Sequence, residues 1–181
     1  MITYYLTQKE LKWGADVGAE RHIQAIIHDW KAKHGFFGDI WGSHIEGAMG
    51  ELVFCERYLE REWEPTVNTF KRPDVGPYQV RCQKEMIIRT NFDGTSRPDG
   101  DAADEPYVWV KPGGGRIYHL MGWIWGYNAP KCGHWKGWGE RPKAWFIDRV
   151  EPIETLPSEA EARAAKRPSF KGHGAIPLTF P

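Results

Sequence analysis

Five residues whose types suit phosphate-ester chemistry fall within one short stretch of this 181-residue chain: His44, Glu51, Asp74, Gln79 and Arg81. Glu51 and Asp74 are carboxylates, the hard oxygen donors that hold Mg2+, or Mn2+ in its place. The Gln79 amide oxygen is a third candidate ligand that would complete or orient the set. A cation held in this way polarises a phosphoryl oxygen and lowers the pKa of an attacking water. Arg81 supplies a permanent charge that can grip a phosphate through two N–H groups. On a helix His44 and Glu51 point nearly the same way, which makes His44 a phosphate contact or an accessory base. Each residue alone also has an ordinary reading: a solvated helix acid, a turn aspartate, an exposed strand face. Their order and co-occurrence favour the shared chemistry.

Helices and strands must carry these residues. Ile23, Ile26, Ile27 and Trp30 recur at helical spacing and predict a helix from residue 19 to about residue 33. The glycine-rich run at 35–42 ends it. Ser43 and Glu46 form an S-x-x-E capping box, so a second helix is expected from Ser43 to about residue 62. Its buried stripe would be Ile45, Leu52 and Leu59, with His44 and Glu51 at the stripe's border. Beyond Pro65 the pattern becomes extended. Residues 67–70 suggest a short edge strand, and Gly76-Pro77 a tight turn. After the turn, Tyr78, Val80 and Cys82 alternate with Gln79, Arg81 and Gln83, so Gln79 and Arg81 share one side and Asp74 is folded back towards them. Further strands are expected over residues 86–90, 107–111, 116–126 and 144–148, with a glycine turn at 113–115. A short polar helix falls near 158–166.

Composition narrows the class. Hydrophobic residues are 41% and charged residues 27%, enough apolar content to bury a core and too much for a disordered chain. A single domain over 1–181 is expected, with a core at about 19–150 and a C-terminal extension at 151–181. No apolar run reaches the roughly 20 residues of a membrane helix, and the start lacks a basic, then apolar, leader. Cys55, Cys82 and Cys132 are odd in number and far apart, which suits reduced thiols in the cytoplasm. Lys plus Arg equals Asp plus Glu at 24 each, so any nucleic-acid contact must be a local basic patch. The segment 128–143 offers one, interleaving Lys131, His134, Lys136, Arg141 and Lys143 with Trp135 and Trp138; its ordinary reading is a Trp-pinned surface loop. Cys132-Gly-His134 lacks a second ligand pair for zinc. The acids Asp93, Asp99, Asp101 and Asp104 lack the ligand order of a calcium loop and read as solvated.

The strings GAMGELVF, PDVGPYQVRCQ, YVWV and YHLMGWIWG together resemble the PD-(D/E)XK nucleases, restriction-endonuclease-like proteins, particularly small phage-borne members. The likeness covers about residues 44–126. It implies an α/β (α+β) fold, a mixed central sheet flanked by helices, and a Mg2+-dependent deoxyribonuclease acting in the cytoplasm, that of the host cell for a phage protein. By position, Glu51 resembles the family's helical acid and Asp74 the Asp of its "PD". Gln79 and Arg81 stand where the family has the acid and lysine of (D/E)-x-K, and His44 where some members carry a helical histidine. Gln79 for a carboxylate removes one negative charge, and Arg81 for lysine removes a possible base. The alternative is a non-catalytic nucleic-acid-binding or protein-interaction module, possibly viral, on the same fold.

Overall fold

Thr7 opens the helical part of the chain. Its hydroxyl accepts from the Glu10 N–H, and the Glu10 carboxylate accepts from the Thr7 N–H. In this computed structural model, which describes residues 1–28, 39–67, 73–98, 100–137 and 143–165, that cap starts α1 (Gln8–Ile27), well before the expected residue 19. The face of α1 turned inward is Gly14, Val17, Gly18, Arg21 and His22. Ile23, Ile26 and Ile27 are exposed, so their regular spacing does not mark the core face; Trp30 lies outside the described residues. The reason is a close helix crossing. A Cβ at Gly18 would run into the Ile45 backbone and one at Gly14 into the Met49 side chain, so this is the face that admits a second helix.

That helix is α2 (Ile40–Leu52). Its cap is Asp39, whose carboxylate accepts from the Gly42 N–H at 2.8 Å. Ser43, the expected cap, lies inside the first turn and donates to the Ile40 carbonyl at 2.7 Å. Asp39 reaches the free amides first, and the capping position moves upstream with it. Past Leu52 the helix widens into a π-helical turn, Val53–Tyr58. It stops short of residue 62 because Glu60 adopts a left-handed conformation (φ 53°). Leu52 is fully buried, while Ile45 and Leu59 pack partly buried against the core.

The strands are β1 (Ile2–Tyr5), β2 (Gln79–Cys82), β3 (Met86–Ile88), β4 (Pro106–Gly114), β5 (Ile117–Trp125), β6 (Gly133–Lys136) and β7 (Ala144–Ile147). They make two sheets where one central sheet was expected. The first is mixed, in the order β1-β5-β4-β2, with β2 parallel to β4 and the other pairs antiparallel. The second is antiparallel, in the order β3-β7-β6. The fold is thus mixed α+β. Gly115 (φ 58°) turns the β4–β5 hairpin. The expected loop at 128–143 contains α3 (Ala129–Cys132) and β6, because Trp135 finds Trp145 across the strand pair. At 67–70, Val67 is a bend and the rest lies outside the described residues. α4 (Glu159–Ala164) is capped by Ser158.

Period-2 alternation covers the first sheet on both faces. Val80, Val108, Val110 and Leu120 enter a core with Leu52, Val53 and Phe54 from the helical side. Tyr107 and Ile124 enter a second core with Met86, Ile88, Trp145 and Ile147 from the other sheet. No helix among the described residues is long and apolar enough to cross a membrane.

Candidate functional site

The turn before β2 assembles one half of the site. Gly76, at φ 58°, lets the chain reverse so that Val75 and Tyr78 pair antiparallel. Asp74 then lies beside the strand, and its Oδ2 accepts from the Val80 N–H at 2.7 Å. In β2, Val80 enters the helical-side core and Cys82 lies against Gly50 of α2. Gln79 and Arg81 alternate with them, as the spacing predicts. The Arg81 guanidinium stands 4.9 Å from the centre of the Tyr107 ring, donates to Asp101 Oδ1 at 2.8 Å and lies 3.9 Å from Asp74 Oδ2. Burial alone would lower the Arg81 pKa, but Asp101, Tyr107 and Asp74 together hold it above its ordinary value. Gln79 donates its amide N–H to Glu105 at 2.8 Å.

Glu51 supplies the other half from α2 and is buried, not solvated. Arg21 of α1 meets it with two parallel bonds: Nη1 to Oε1 at 2.6 Å and Nη2 to Oε2 at 2.7 Å. The third guanidinium nitrogen of Arg21 donates to the Thr66 carbonyl at 2.7 Å. Burial pushes the Glu51 carboxyl up, to about 7, with the Arg21 bonds pulling down and the Asp74 charge pushing further up. Asp74 is also raised, by desolvation first, while Arg81, the Val80 N–H and Arg21 oppose the rise. Each group thus feels the next, in the sequence Arg21, Glu51, Asp74, Arg81, Asp101. His44 adjoins this line. Its ring centre is 5.3 Å from that of buried His22, and burial, His22 and Arg21 hold its pKa below the usual histidine value.

Of the expected residues, then, Asp74 and Arg81 meet beside β2 and Glu51 feels the Asp74 charge, while Gln79 bonds Glu105 and His44 lies against His22. Arg21 and Asp101 are members that the sequence reading missed. Asp101 is buried, a correction to the solvated acidic loop; besides Arg81 it accepts from the Arg89 N–H at 2.8 Å. Asp99 lies outside the described residues. A trace of Arg21 was present. The Thr7-x-x-Glu10 capping box would have started α1 early enough to align Gly14, Gly18 and Arg21 on one face.

In donor chemistry Glu51, Asp74 and the Gln79 amide oxygen suit a hard divalent cation. Both Glu51 oxygens are engaged by Arg21, however, and no group of three or more His, Cys, Asp or Glu side chains is arranged for a metal among the described residues. A cation at Glu51 would share these oxygens with Arg21 or displace it. In the basic-aromatic segment, His134 lies 3.0 Å from Asp148 and stacks on Phe146, and the Lys136 ammonium sits 5.2 Å from that ring's centre. Lys131 is exposed on α3; Trp138 and Arg141 lie outside the described residues. No protein-family model, no curated protein and no solved structure matches this chain.

Proposed function

We propose that this protein is a metal-dependent nuclease that hydrolyses phosphodiester bonds in DNA, on a restriction-endonuclease-like core of the PD-(D/E)XK type. The observation that carries the reading is the pairing of Asp74 with Arg81 at 3.9 Å beside β2, with the Glu51 carboxyl of α2 near enough to feel the Asp74 charge. The mixed sheet with β2 parallel to β4, and α2 packed on β2, supports it. Glu51 and Asp74, with the Gln79 amide oxygen, would hold Mg2+ or Mn2+, which would supply an activated water and charge neutralisation at the phosphate. Arg81, fixed by Asp101, holds the scissile phosphate. Arg21 keeps the buried Glu51 carboxylate compensated while the cation is absent. His44 is the accessory base or phosphate contact of this reading.

The test is cleavage of plasmid and single-stranded DNA with Mg2+ or Mn2+ by wild type and by Asp74→Ala. Metal-dependent cleavage that drops by at least 100-fold in the variant is expected. Clean wild-type protein that cuts neither substrate would reject hydrolysis. One observation favours a second reading, a nucleic-acid-binding module without catalysis: Glu51 is already satisfied by Arg21, and Arg81 by Asp101. That reading expects DNA binding unchanged by EDTA.

A further inference from the structure

Phe92 is 67% exposed in an otherwise polar segment, yet its ring is held in place. It stacks on Trp145 with ring centres 5.6 Å apart and planes 25° from parallel, and meets Trp135 nearly edge-on at 5.7 Å. The rings beneath are fixed in turn: Trp135 and Trp145 pack 5.1 Å apart, and Trp145 Nε1 donates to the Asn91 carbonyl at 3.1 Å. The turn carrying Phe92 is closed by the Asn91 N–H to Thr95 carbonyl bond at 2.9 Å and by Asp93, which accepts from both the Thr95 N–H and its hydroxyl. Gly94 (φ 82°) seats the turn against the Tyr127 carbonyl and the Pro130 ring. One face of Phe92 rests on Trp145, and the exposure belongs to the rest of the ring.

We infer that Phe92 is a base-stacking platform, and that the nucleic acid reaching the site is single-stranded there. This rests on the nuclease reading for the identity of the site and names the form of its substrate. A base in a duplex has both faces covered by its neighbours, so only an unpaired or splayed base can lie on the ring. Charge around the ring fits a phosphate backbone. Arg97 donates to the Lys143 carbonyl at 3.4 Å, which brings two cationic residues together beside the strand that carries Trp145. The one acid of the turn, Asp93, is occupied by Thr95. The platform is also tied to the candidate site. Asp101 closes the base of the segment through the Arg89 N–H with one carboxylate oxygen and holds Arg81 with the other. A strand stacked on Phe92 therefore lies on the segment whose root fixes the proposed phosphate ligand. Because the ring is already ordered, little conformational entropy opposes binding.

The experiment is fluorescence anisotropy of the full chain in EDTA with a labelled oligothymidylate, an abasic oligomer of equal charge and a duplex of equal length, with an oligouridylate arm to separate DNA from RNA. Wild type binds the oligothymidylate more tightly than the abasic oligomer, on the order of tenfold. Phe92→Ala erases that difference, Phe92→Tyr keeps it, and near-ultraviolet circular dichroism checks the fold of each variant. Equal affinity of wild type for the two oligomers, no binding to either, or undiminished binding by Phe92→Ala overturns the platform; the last is also what a protein partner at this ring would produce. Plasmid cleavage in Mg2+ is read alongside. Stacking through Phe92 without cleavage removes the hydrolysis reading and leaves the platform; cleavage with no Phe92 effect does the reverse.

Discussion

At the scale of single residues, the pair that governs this site is Arg21 and Glu51. Two charges taken out of water lose several kcal/mol of hydration each, and only close, doubly bonded geometry recovers it. Removing one partner leaves the other exposed to that loss. At pH 8 Glu51→Ala should destabilise the protein by about 3–5 kcal/mol in urea unfolding, while Arg21→Met with Glu51→Leu together should come near neutral. Acidity acts on the same group. The Glu51 carboxyl is raised from 4.5 to about 7 by burial, so the folded state holds its proton more tightly than the unfolded chain. The stability that comes from holding this proton is complete below about pH 4.5 and is lost as pH rises through about 7, while the pairing with Arg21 persists above it. The urea midpoint of the wild type should fall between pH 5 and pH 8, and Glu51→Gln should remove that part of the slope.

At the scale of elements, the contact that positions Glu51 is the crossing of α1 and α2. Two glycines test it in opposite directions. Gly18→Ala drives a Cβ into the Ile45 backbone and should cost about 1–3 kcal/mol despite the better helix propensity of alanine. Gly47, also helical, faces open space, with nothing within 4 Å of where a Cβ would stand, and Gly47→Ala should stabilise by about 0.5–1 kcal/mol. Equal effects in thermal unfolding would mean that the crossing is looser than described. Much at this scale was legible in the sequence: the Gly76-Pro77 turn, the alternation through β2, the hairpin at Gly115 and the short helix near 158 all depend on neighbours within a few residues. The isoleucine stripe of α1 and the Ser43 cap misled for a related reason. Spacing and capping motifs announce a helix, but burial and the competing Asp39 decide which face and which cap are used.

At the scale of the whole molecule, zero net charge limits the electrostatic part of any nucleic-acid contact. With Arg97 and Lys143 as the phosphate partners, the log–log salt dependence for a single strand should have a slope of about −1.4, measured by anisotropy across a salt series. A steep slope would point to a broader cationic surface. The two sheets share the middle strands' opposite faces between two cores, and that division places Arg81 over Tyr107 while Val80 packs towards α2. What the sequence determined by itself was local: which residues turn and alternate, and that Asp74, Gln79 and Arg81 travel together, because those bonds close within a few residues of chain. The tertiary structure alone decided that Arg21 meets Glu51 across 30 residues and Asp101 meets Arg81 across 20. Buried charges take whichever opposite charge the packing of helices and sheets brings within reach, and no local pattern encodes that choice.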